Sequence, residues 1–133
     1  MAKIIMVMEH KRFLKLRDVE SYKIAFHLSN YVWHVIIRWD RFARGTLGAQ
    51  FVRSVDSISA NLAEGFGRFG KKDKIRFYRI ALGSVTESLD WNQKSKVRKL
   101  INQEEYEHIF SELMKLPKAI NSQIKTTNEK LTI

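Results

Sequence analysis

Cysteine is missing from the sequence, which excludes disulfides and thiolate metal sites and fits a reducing, cytoplasmic setting. Only one proline is present, and no low-complexity tract, heptad array or solenoid-spaced repeat accompanies it. Strand-like alternation is also lacking. No apolar run approaches the roughly 20 residues that a bilayer crossing needs, so no membrane partner is expected. The opening M-A-K-I-I-M-V-M-E-H has too short an apolar patch for a signal peptide, and residues 1–17 are read as a tail. Acidic residues are scarce: 14 Asp and Glu face 24 Lys and Arg, a net charge of +10. That imbalance favours an anionic partner, with nucleic acid ahead of a membrane surface.

What is present is helical periodicity. Residues Val19 to Phe42 form the first predicted helix, with Asp18 as its cap. Its polar residues Glu20, Lys23, His27, Asn30, His34, Arg38 and Arg41 recur at three- and four-residue steps as one narrow stripe. The rest is mostly apolar, more than the single face a surface helix needs. A second, subunit-facing surface is therefore expected, with Ile24, Leu28, Tyr31 and Val35 at a homo-oligomer interface.

Gly45 is expected to stop this helix and Thr46 to cap the next, Leu47 to Glu64. Lys72 to Lys99 and Gln103 to Thr127 complete a set of four, the last opened by an Asn102–Glu105 capping pair. Pro117 should either bend or split the fourth helix. Predicted core positions are Phe51, Val55, Ile58 and Leu62, then Ile75, Tyr78, Leu82, Val85 and Leu89, then Tyr106, Phe110, Leu113, Ile120 and Ile124. The fold class predicted is an all-α, up-down-up-down antiparallel four-helix bundle over residues 18–127, with a frayed tail over residues 128–133.

Between the second and third helices, Gly65, Gly67 and Gly70 punctuate a corner where positive-φ backbone is expected. Small residues around it (Ser54, Ser57, Ala60, Ala81, Gly83, Ser84) let two backbones approach. Asn61, Glu64, Ser84 and Glu87 lie beside the apolar stripes and are expected to stitch the hairpin with partly buried hydrogen bonds. Gly65 to Gly70 also spells G-x-G-x-x-G. That dinucleotide fingerprint needs a preceding strand, whereas here a helix precedes it.

The runs S-I-S-A-N-L-A-E-G-F-G-R (Ser57 to Arg68) and F-Y-R-I-A-L-G-S-V-T-E (Phe77 to Glu87) resemble the four-helix-bundle proteins encoded in intervening sequences of bacterial 23S ribosomal RNA genes. The match keeps Asn61, Ala63, Glu64, Gly65, Arg68, Phe77, Ala81, Gly83, Ser84 and Glu87. It departs at Ser59, where proline is usual, and at Asp56, where a small apolar residue is usual. The resemblance implies a homopentamer with a basic surface and no established enzymatic activity. Related bundles accompany reverse transcriptases, so it also admits a protein-interaction scaffold or accessory subunit.

Other chemistry finds little support. Glu64 and Glu87 lack an accompanying nucleophile, and arginine partners explain them better. His27 and His34 lie seven apart without nearby acids, so neither a metal nor another cofactor is expected. Trp33, Trp39 and Trp91 read as core or interface anchors. The cations fall into three groups: Lys11, Arg12, Lys15 and Arg17; Lys71, Lys72, Lys74, Arg76 and Arg79; and Lys94, Lys96, Arg98 and Lys99. The first two groups should meet at one end. Arg68, Lys71, Lys72, Lys74, Arg76 and Arg79 are the predicted nucleic-acid contacts, RNA being favoured.

Overall fold

The computed structural model describes residues 15–132. Among them are four long helices and no strand. The helices are α1 (Glu20–Ile36), α2 (Ala49–Gly67), α3 (Lys71–Val97) and α4 (Gln103–Lys130). Each of α1 and α3 packs on both α2 and α4. Residue pairs across the seams run in opposite order: Ser57 meets Ser84 and Ser54 meets Ser88, while Tyr31 meets His108 and Ser21 meets Gln123.

Helix boundaries differ from expectation at the first joint. Asp18 closes a 3-10 turn, Leu16–Asp18, and Val19 takes the cap position of α1 without a side-chain bond. The helix then stops at Ile36, short of Phe42. Amides of Arg38 and Trp39 turn back to Val35 and Ile36, and Asp40 goes extended. The Asp40 carboxylate accepts from the Ala43 amide at 3.0 Å, which starts a new helical segment at Arg41. Gly45 therefore stops nothing. It lies in a π-helical turn, Arg44–Gly48, that leads directly into α2, and Thr46 donates back to the Phe42 carbonyl at 2.7 Å.

No glycine in the described chain has positive φ. The corner glycines serve another purpose at Gly65, where α2 approaches α3 so closely that a Cβ would meet the Tyr78 ring at 2.6 Å and the Lys74 carbonyl at 3.0 Å. Among the described residues the single left-handed one is Lys99, at φ 59°. Its amide bonds to the Lys96 carbonyl and that of Leu100 to Ser95, the two-bond helix stop that glycine usually supplies.

Helix α4 opens on the expected capping box, with Asn102 accepting from the Glu105 amide at 2.7 Å and Glu105 from the Asn102 amide at 3.0 Å. Pro117 lies within an unbroken helix, so no split occurs, and the helix continues past Thr127 to Lys130.

The core takes Ala25, Leu28, Val32, Val35 and Ile36 from α1, and Phe51, Val55, Ile58 and Leu62 from α2. From α3 and α4 come Ile75, Tyr78, Ala81 and Val85, then Ile109, Leu113, Leu116, Ile120 and Ile124. Leu82 and Leu89 are only half-buried. On α4 Leu113, Ile120 and Ile124 are buried as predicted, Ile109 and Leu116 join them, Tyr106 is partly exposed and Phe110 faces outward.

Small residues set the α2–α3 spacing. Ser84 donates to Ser57 and Ser88 to Ser54, both at 2.9 Å. Buried hydroxyls need such partners, since leaving one unpaired costs about 1–3 kcal/mol. Ser84 is the one predicted hairpin residue that bonds across the seam. Asn61 donates to Ser57, Glu64 pairs with Arg68, and Glu87 accepts from the Trp91 indole, each within its own stretch of chain. Gly83 is exposed, with nothing within 4 Å of a Cβ.

Candidate nucleic-acid interface

The joint between α2 and α3 is short. Arg68 bonds through its amide to the Gly65 carbonyl, and Lys74 to that of Gly70, so both sides of the corner are tied. Helix α3 starts at Lys71, and its first three turns present basic residues at three- and four-residue steps. Lys71, Lys72, Arg76 and Arg79 consequently line one groove of about 640 Å³, floored by Ile75 and Ile80 and bounded by Asn128 of α4. Among the described residues neither Lys72 nor Arg79 has an ion pair. Lys71 reaches the Asn128 carbonyl at 3.4 Å, and Arg76 pairs with Asp73 at 3.4 Å. These are exposed contacts that an incoming phosphate can displace.

Arg68 stands beside this groove. Its guanidinium bonds Glu64 at 2.9 Å, approaches Asp73 at 3.9 Å and lies 4.7 Å from the centre of the Phe77 ring. Arg76 lies 4.5 Å from the same ring. Phe77 thus orients two arginines by cation–π attraction.

Lys74 departs from its predicted role. Its ammonium donates to the carbonyls of Phe66 at 2.7 Å and Gly65 at 3.4 Å, closing the C-terminal end of α2. Half-buried there, it has a pKa lowered by desolvation. It pins the corner through these carbonyls and lies outside the α3 groove, lining a different cleft.

The start of α1 comes to this end of the bundle. Asp18, Val19 and Glu20 line a cleft with Phe66, Lys74, Tyr78 and Gln123. Lys11 and Arg12 lie outside the described residues. At the opposite end, Lys94 pairs with Asp90 at 2.6 Å, Lys96 lies over Tyr106, and Arg98 and Lys99 are exposed.

The four predicted interface residues divide. Leu28 and Val35, 1% and 5% exposed, are in the core of the single chain, where a neighbour cannot reach them. Ile24 and Tyr31 are half-buried against that core, and the Tyr31 ring sits 4.3 Å from that of His108. The outward apolar residues of α1 are instead Phe26 and Trp33, together with Ile37 just past its end. They sit among the polar positions Lys23, His27, Asn30 and His34, so the polar stripe and the second apolar face share one arc. Among the tryptophans, Trp39 is buried, Trp91 is half-buried and Trp33 is exposed.

Sequence reasoning missed Phe69, 75% exposed in the corner between Arg68 and Gly70, and Phe42, exposed at the first joint. No group of three or more His, Asp or Glu that could hold a metal occurs among the described residues. Nor is any helix among them long and apolar enough to cross a membrane.

Comparison with known proteins places the architecture. A crystal structure of a protein of unknown function from the S23 ribosomal protein family of Bacteroides thetaiotaomicron is similar, with a TM-score of 0.70 and 23% identity. The alignment covers 79% of this chain and 95% of that one. At that identity the likeness speaks for the fold alone. No curated protein matches the sequence. The family profile described as 23S rRNA-intervening sequence protein matches residues 17–122, and the chain belongs to that family.

Proposed function

We propose that this protein is a non-enzymatic nucleic-acid-binding module: an up-down-up-down antiparallel bundle that associates with copies of itself and holds RNA through the α3 groove. The observation that carries the reading is the convergence of Lys71, Lys72, Arg76 and Arg79 on one groove in a chain of net charge +10. Phosphate contacts of this kind are strong, blind to sequence and weakened by salt. RNA is favoured over DNA by the ribosomal context in the family's name. Self-association is supported by Phe26, Trp33 and Ile37, an outward apolar arc whose association would repeat the basic grooves around the assembly. A pentamer is the assembly proposed, and the cytoplasm its location.

The test is binding of single- and double-stranded RNA and DNA at low salt, with charge reversal at Lys71, Lys72 and Arg76. Affinity for RNA that drops at least tenfold in the reversed variant supports the reading. Absence of binding by the native protein, or unchanged binding by the variant, refutes it.

A second reading uses the same α1 arc differently, as a docking face for a nucleic-acid enzyme such as a reverse transcriptase. A specific protein recovered in a pull-down that survives nuclease treatment, and lost on Trp33→Asp, would favour it.

A further inference from the structure

We infer that Phe69 is a stacking platform for an unpaired base, so that the strand held in the α3 groove is single-stranded RNA. The inference rests on the groove reading above and adds the kind of strand.

Phe69 is 75% exposed, and among the described large hydrophobic residues only Phe42, at the first joint, is more so. Among the described residues no ring–ring or cation–π contact of the chain involves it. The residue before it, Arg68, is fixed by Glu64 and by the Phe77 ring. The residue after it, Gly70, caps α3, whose Lys71 and Lys72 line the groove. The ring is therefore mounted on a short, tethered joint at the head of a row of cations.

That juxtaposition matches what an extended strand needs. Its phosphates track a basic groove while a base lays its face on an aromatic ring, whatever the base's identity. In a duplex each base is already stacked and paired, and an exposed ring at a bundle corner has no access to its face. Charge complementarity selects a nucleic acid, and the exposed ring selects an unpaired one.

The experiment measures fluorescence anisotropy of a labelled single-stranded RNA and of an RNA duplex of equal length, with native protein and with Phe69→Ala, Phe69→Leu and Phe69→Tyr. Circular dichroism and light scattering accompany each variant. Stacking predicts roughly tenfold weaker single-strand binding for Phe69→Ala, a comparable loss for Phe69→Leu, and near-native binding for Phe69→Tyr. Duplex binding should change less than twofold. Equal losses on both ligands, no loss on either, full retention by Phe69→Leu, or a changed assembly state in Phe69→Ala would each overturn the platform and leave the groove standing. Failure of the native protein to bind either RNA would remove the groove reading and the platform together.

Discussion

A methyl group placed on Gly65 would stand 2.6 Å from Cε1 of Tyr78 and 3.0 Å from the Lys74 carbonyl oxygen. The second contact is backbone, which cannot rotate away. Overpacking of this sort costs about 1–3 kcal/mol, more than the ~1 kcal/mol that alanine gains over glycine in a helix. Gly65→Ala should therefore lower stability by up to about 2 kcal/mol in urea unfolding. Gly83→Ala should do the opposite. That position is mid-helix, exposed and clear of every neighbour within 4 Å, so a gain of about 0.5–1 kcal/mol is expected.

Lys99 offers a second backbone test. A side chain at φ 59° is strained by about 1–2 kcal/mol relative to glycine. The amides of Lys99 and Leu100 already make the bonds of a glycine-type stop. Lys99→Gly should raise the thermal midpoint, corresponding to about 1 kcal/mol.

Tyr78 gives stability a pH signature. Its phenol is buried, and desolvation raises its pKa, partly offset by hydrogen bonds with Gln123 and Thr127. The unfolded chain releases this proton near pH 10.0, the folded chain only at higher pH. Above about pH 10 the folded state therefore binds more protons, and stability falls as pH rises. Lys74 acts with the opposite sign. Its pKa is lowered from 10.5, so rising pH relieves a burial penalty up to that value. Tyr78→Phe should lose about 1 kcal/mol at neutral pH and show a shallower alkaline downturn, the remainder coming from Tyr22 and Tyr31, whose pKa values burial also raises. Denaturant midpoints between pH 8 and about 11 measure both.

Two substitutions on α1 separate core from surface. Leu28→Asp buries a charge at a 1% exposed site and should unfold the chain. Trp33→Asp, at a 51% exposed site, should leave the helical signal intact and convert the assembly to monomers in light scattering. A native protein already monomeric at micromolar concentration would contradict the assembly reading.

These two positions also mark how far sequence carries. Periodicity located the core of α2 and α3 because Phe51, Val55, Ile58, Leu62, Ile75, Tyr78 and Val85 recur on faces interrupted by polar residues. On α1 the polar stripe is narrow and the remaining perimeter mostly apolar, so periodicity does not say which apolar side is core, and the expected interface falls on the buried Leu28 and Val35. The end of α1 was hidden for a related reason: Asp40 caps through a local backbone excursion, and Gly45 resembled a stop. Glycine at the corner was expected for its conformational freedom, yet Gly65 is needed for lack of a side chain, a tertiary fact. Lys74 looked like any other cation in a basic run. Only the fold shows that it bonds the Phe66 and Gly65 carbonyls, while Phe69 faces outward.

The most direct measurement of the central claim is the salt dependence of RNA binding by the native protein and by a variant with Lys71, Lys72, Arg76 and Arg79 all replaced by glutamine. Each phosphate contact on a single strand contributes about 0.7 to the slope of log affinity against log salt. Loss of all four should make the slope shallower by about 3 and weaken binding at low salt. Identical slopes for the two proteins would contradict the assignment of the α3 groove as the phosphate-binding surface.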